Sequence, residues 1–167
     1  SMIATDLQDV MFGSPSPLQS EANLGIMKED HVNIIVHGHE PILSEKIVEA
    51  AEKYPSPPRS INVVGICCTG NEVLMRRGVP LAGSMVQQEL AIVTGAVEAM
   101  VVDVQCIMPN VQRVAQHFHT KIITTNPQAK ITGATHIEFE PEKADEVAQK
   151  IVKIAVDNYG LRKSNKV

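Results

Sequence analysis

Val32-Asn33-Ile34-Ile35-Val36 runs straight into His37-Gly38-His39, and two later segments repeat the arrangement. Ile61-Asn62-Val63-Val64-Gly65 leads into Ile66-Cys67-Cys68, and Ala99-Met100-Val101-Val102-Asp103 leads into Val104-Gln105-Cys106. Short, nearly continuous apolar runs rich in β-branched residues read as strands buried on both faces. After the first run, Pro41 opens a stretch in which Ile42, Leu43, Ile47, Ala50 and Ala51 recur at helical spacing. Alternating strands and helices imply βαβ units, so the expected fold is α/β, a Rossmann-like three-layer α/β/α domain with a mainly parallel sheet.

Parallel strands present their carboxyl ends at one edge, where open α/β sheets bind ligands. All three cysteines lie just past such strands, and a histidine pair lies past another. Residues far apart in sequence are thereby expected to gather at one place, which points to a metal site. Thiolate and imidazole ligands suit zinc, copper or iron–sulfur centres rather than magnesium or calcium. Two readings stay open on residue chemistry alone: an open Cys₂His zinc site, or part of an iron–sulfur site with further ligands elsewhere.

The rest of the chain fills in around this frame. Residues 1–30 read as an N-terminal extension, with a short helix from Asp6 to Met11 that Gly13-Ser14-Pro15-Ser16-Pro17 breaks. The Rossmann-like domain spans 31–160, and 161–167 is a tail. Strands are expected at 32–36, 61–66, 99–103, 121–124 and 136–139. Helices are expected after Pro41, from the Thr69-Gly70-Asn71-Glu72 turn to about Arg77, over 85–93, from Pro109 to Phe118, and from Pro141 to Tyr159 with Gly160 as terminator.

Composition narrows the functional classes. With 44 % apolar and 20 % charged residues over 167 positions, the chain suits one soluble domain with a sizeable core. A net charge of −4 with scattered Lys and Arg argues against a nucleic-acid surface. Its apolar runs are too short to cross a bilayer, and three cysteines make a poor disulfide framework. A cytoplasmic setting is expected.

Individual motifs have plainer readings. Gly65-Ile66-Cys67-Cys68-Thr69-Gly70 has neither the Lys-Ser/Thr of a P-loop nor a dinucleotide fingerprint. Free cysteines are often just small buried hydrophobes. His117 and His119 read as helix-end residues, and Asp103 as a loop hydrogen-bonding group.

The segment Gly65-Ile66-Cys67-Cys68-Thr69-Gly70-Asn71-Glu72-Val73-Leu74-Met75-Arg76-Arg77-Gly78 closely resembles the anaerobic nickel-containing carbon monoxide dehydrogenases. The resemblance extends to Ser1-Met2-Ile3-Ala4-Thr5-Asp6, Gly13-Ser14-Pro15-Ser16-Pro17 and Val36-His37-Gly38-His39. It continues through Val102-Asp103-Val104-Gln105-Cys106-Ile107-Met108-Pro109 and Gly133-Ala134-Thr135-His136.

The resemblance implies a homodimeric parent enzyme that interconverts CO plus water with CO₂, protons and electrons at a nickel–iron–sulfur cluster. It places cluster ligands at His39, Cys68 and Cys106, spread over several irons rather than meeting at one ion. Cys67 is then an apolar packing residue or a neighbour of the ligands. This chain then corresponds to the first Rossmann-like domain, with residues 1–30 as a partial connection to a missing helical domain, and without the further 4Fe-4S sites and the remaining cluster ligands. It is expected to be inactive alone and, with its ligand set incomplete, able to stand metal-free. Two other readings are the related subunit of an acetyl-CoA-synthesising complex and a stand-alone α/β module that binds a nucleotide or zinc.

Overall fold

The computed structural model describes residues 2–14 and 16–167; Ser1 and Pro15, which belong to two of the segments quoted above, lie outside the described residues. Six strands form one sheet: β1 (Val32–His37), β2 (Ile61–Ile66), β3 (Leu81–Gly83), β4 (Val97–Val102), β5 (Lys121–Thr124) and β6 (Thr135–His136). All neighbouring pairs are parallel, in the order β3-β2-β1-β4-β5-β6. This is the order of the doubly wound sheet, in which the chain reverses direction across the sheet between β1 and β4.

Strand alternation sorts the side chains into two cores. Val32, Ile34 and Val36 of β1 join Val63, Ala99, Val101 and Ile123 on one face. Ile35 joins Val64, Ile66, Met100, Val102 and Ile122 on the other. Such two-sided burial explains why the central strands read as unbroken apolar runs.

Helix α1 (Met2–Phe12) precedes the sheet; the others are α2 (Pro41–Glu52), α3 (Cys67–Arg77), α4 (Gln88–Val93), α5 (Val111–Ala115) and α6 (Ala144–Tyr159). Leu43, Ile47 and Val48 of α2, Val73 of α3, and Val147, Ala148 and Ile151 of α6 cover the first face. Ala91 and Ile92 of α4, with Val111 and Ala115 of α5, cover the second. The three-layer α/β/α arrangement expected from the sequence is the one observed.

Several boundaries differ from the sequence expectation, each for a local reason. β3 was not expected: three residues between Pro80 and Ser84 are too few to show a period, and only pairing with β2 makes them a strand. β4 runs over 97–102 rather than 99–103: Val97 already pairs with Asn33, and the pairing with β1 and β5 ends at Val102. The last strand is Thr135–His136 rather than 136–139, and α5 is limited to 111–115 rather than 109–118. α6 begins at Ala144 after a single 3₁₀ turn at Pro141–Lys143. Gly160 does cap α6, but with φ −64° it stays right-handed instead of adopting the left-handed form.

The N-terminal segment and the tail are both tied to the sheet. Ile26 and Met27 are buried in the second core, and Ala22 bridges Leu81. Arg76 of α3 reaches Asp9 of α1 at 2.7 Å and the Gly13 carbonyl at 3.2 Å.

Beneath the amino ends of the strands lies a buried ionic network. Glu98 on β4 is fully buried and accepts hydrogen bonds from the Asn33 amide (2.6 Å), His119 (2.8 Å) and Arg162 (2.8 Å). Arg162 also donates to the carbonyls of His31, Ala96 and Glu29. His119, read from sequence as a helix-end residue, is instead a partner of this buried acid.

Removing one partner of a buried charge pair costs about 3–5 kcal/mol, since the other charge is left uncompensated. Arg162→Met is therefore expected to lower urea stability by about that amount. A change no larger than the ~0.5 kcal/mol of an ordinary surface substitution would contradict the assignment.

Candidate metal centre

The carboxyl ends of β2, β1 and β4 lie side by side, so their following loops share one edge. At the end of β1 the chain turns through Gly38 with φ +120°. The Asp103 carboxylate, past the end of β4, occupies the space that a Cβ on residue 38 would need. Asp103 accepts from the His39 amide at 2.8 and 2.9 Å, from the Glu40 amide at 2.6 Å, and from the Val104 amide. One buried carboxylate thus fastens the β1 turn to the β4 loop. Burial raises its pKa, while the three amides pull in the opposite direction.

This clamp determines how His39 is presented. Its Nδ1 lies 3.0 Å from the Val104 carbonyl, which can only accept. In the neutral ring Nδ1 therefore carries the proton, and Nε2 is the nitrogen left for a ligand. A backbone carbonyl fixing the tautomer in this way is the usual support of a metal-binding imidazole.

Past β2, the left-handed Cys67 (φ +64°) turns the strand directly into α3. The helix thus starts at Cys67, earlier than the Thr69–Glu72 turn suggested. A Cβ on Gly65 would overlap the backbone of Gly70, and one on Gly70 would overlap Gly65. These two glycines exist to let the strand and the helix start touch, which accounts for the motif without a phosphate. Thr69 N donates to the Gly38 carbonyl at 2.9 Å and joins the β2 turn to the β1 turn.

Cys68 is exposed; Cys67 and Cys106 are half-buried. The Cys67 thiol lies near the thiols of both Cys68 and Cys106. Burial is the main cause that pushes the Cys68 and Cys106 thiols up, and the neighbouring sulfurs add to it. The Cys106 loop is strained: Gln105 (φ +61°) and Cys106 (φ +50°) are consecutive left-handed residues. Among the described residues, three of the four non-glycine positions with positive φ belong to this edge, and such strain concentrates at functional sites.

The structure therefore brings Cys68 and Cys106 together around Cys67, and anchors His39 to the segment that leads to Cys106. Among the described residues, no group of three or more His, Cys, Asp or Glu side chains converges tightly enough to hold one metal ion. No helix among them is long and apolar enough to cross a membrane. Sequence reading picked out Asp103 only as a loop group and gave no role to Gln88, whose polarity on an otherwise apolar inward face was the available signal.

Comparison with known proteins follows the same line. A model of the Prismane/CO dehydrogenase family matches residues 1–167. Carbon monoxide dehydrogenase 1 of Methanosarcina acetivorans is 56 % identical over 174 residues, covering 100 % of this chain and 28 % of that protein. The carbon monoxide dehydrogenase/acetyl-CoA synthase subunit beta of Moorella thermoacetica is 52 % identical, covering 98 % of this chain and 25 % of its own length. A nickel-free crystal structure of carbon monoxide dehydrogenase from Thermococcus sp. AM4 superposes with a TM-score of 0.92 at 59 % identity, covering 99 % of this chain and 27 % of that one. The chain spans little more than a quarter of the length of the relatives it matches.

Proposed function

The chain belongs to the Prismane/CO dehydrogenase family, and from that premise we propose that it is a cluster-holding domain of a cytoplasmic, homodimeric carbon monoxide dehydrogenase. The activity of the whole protein is then CO + H₂O → CO₂ + 2H⁺ + 2e⁻. Residues 31–160 form the domain, 1–30 connect it to a helical domain, and 161–167 are its tail. The nickel–iron–sulfur cluster, when bound, supplies the site for CO and the electron store for its oxidation.

In this reading His39 Nε2 and the sulfurs of Cys68 and Cys106 are the ligands this chain contributes. The observation that carries it is the junction of three loops at one sheet edge, with soft donors on each and a tautomer of His39 that leaves Nε2 open. The donor set fits the group: sulfur and imidazole are iron and nickel ligands, and three donors on separate loops suit a cage of several metals. Asp103 orients His39, Gly65 and Gly70 allow the turn that places the cysteine pair, and Cys67 spaces Cys68 from Cys106.

Anaerobic loading with iron, sulfide and nickel tests the proposal. The full-length protein is expected to show broad sulfide-to-iron absorption and CO-dependent dye reduction. The 167-residue chain alone is expected to reduce no dye, because ligands and their supporting partners are missing. Nickel-dependent turnover by the short chain would show that no other domain is needed. A colourless, zinc-loaded full-length protein would favour a simple binding module. The likeness to the Moorella subunit keeps an acetyl-CoA-synthesising complex as a second reading, tested by co-purification with an acetyl-CoA synthase subunit.

A further inference from the structure

Gln88 opens α4 and is fully buried, at 0 % exposure. Its amide makes hydrogen bonds to two different segments. The Met108 amide donates to Oε1 at 3.0 Å, which identifies the other end as the NH₂ group. That group donates to the Cys106 carbonyl at 2.5 Å and to His37 Nε2 at 2.8 Å. His37 is itself buried, and because the Gln88 NH₂ can only donate, His37 Nε2 is the acceptor of that bond. The Gln88 side chain thus straps the backbone on both sides of Ile107 to the end of β1.

We propose that Gln88 is a positioning residue that holds the Cys106 sulfur at the sheet edge by fixing the backbone of residues 106–108. Two features make such a strap necessary. Gln105 and Cys106 are both left-handed without being glycine, a conformation that persists only where surroundings enforce it. The loop also contains no regular structure between β4 and α5, so few backbone bonds hold it. A buried amide is costly unless satisfied, and here it is satisfied by the segment it restrains.

The inference rests on the reading of Cys106 as a ligand, and its test is chosen to separate the two. Iodoacetamide labelling of the 167-residue chain, resolved by cysteine in mass spectrometry, reads the order of the loop without any cluster. Gln88→Met keeps the volume and removes all three bonds. Cys106 is expected to label up to about tenfold faster, the population change that loss of a buried hydrogen bond gives, with Cys68 nearly unchanged. Gln88→Glu keeps the acceptor for Met108 but loses both donors, and is expected to act in the same direction. An unchanged Cys106 rate, or equal acceleration at all three thiols, would overturn the proposal.

If neither variant folds, hydrogen exchange in the unaltered chain decides. The Met108 amide is expected among the slowly exchanging ones, and rapid exchange there would overturn the strap. A full-length Cys106→Ala protein that retains its cluster would remove the ligand reading while leaving the labelling result intact.

Discussion

Cys68→Ala in the full-length protein is expected to abolish CO oxidation and lower the bound iron and nickel, whereas Cys67→Ala retains much of both. The two cysteines are adjacent, yet the turn gives them different positions. Cys67 takes the left-handed conformation at the end of β2, is half-buried, and packs against the second core. Its thiol lies near both neighbouring thiols, between the two. Cys68 is one residue into α3 and exposed, free to reach a group seated at the edge. Alanine at 67 leaves the backbone turn as strained as before and removes one spacing contact. By analogy with groups that orient metal ligands, its loss costs about 10–100-fold at most, while loss of a ligand removes the site itself. Metal content and CO-dependent dye reduction, measured anaerobically on both variants, check this. If Cys67→Ala empties the cluster and Cys68→Ala does not, the ligand is the other cysteine.

How far sequence carries toward such a statement depends on whether the deciding interaction is local. The central strands were legible because burial on both faces leaves an unbroken apolar run, and α6 because Val147, Ala148, Ile151 and Ala155 keep one stripe over about two and a half turns. β3 was not legible, since Leu81–Gly83 becomes a strand only through pairing with Gly65 and Ile66 of β2. The shared edge followed from parallel topology, but strand order did not. That β1 lies between β2 and β4, so that His39 meets the loops of both, is a property of the folded sheet. His119 shows the same limit: its role is set by Glu98, 21 residues away, and by Arg162 in the tail. Gln88 acts across a similar gap, on a loop 18 to 20 residues further on. Local pattern can flag a polar residue on a buried face, and only the fold names its partner.

Gly38→Ala is expected to be among the most damaging single substitutions in the chain, and its cost is expected to depend on Asp103. Two separate penalties are involved. At φ +120° an L side chain is strained whatever space surrounds it, which costs roughly 1–3 kcal/mol. The new Cβ would also overlap the Asp103 carboxylate, which is buried and cannot swing into solvent without releasing the amides of His39, Glu40 and Val104. The three amides are partly buried, so each left unpaired adds up to about 1–3 kcal/mol, and together with the strain the total reaches the ~4 kcal/mol that marks exceptional variants. In an Asp103→Ala background the clash is absent and the amides are already unpaired. There, Gly38→Ala adds only the conformational strain, about 1–3 kcal/mol. The two substitutions are thus expected to be strongly non-additive in urea unfolding, as residues sharing one network are. Costs that add within about 0.5 kcal/mol would mean that Asp103 does not hold the β1 turn. The account of how His39 is oriented would then fail with it.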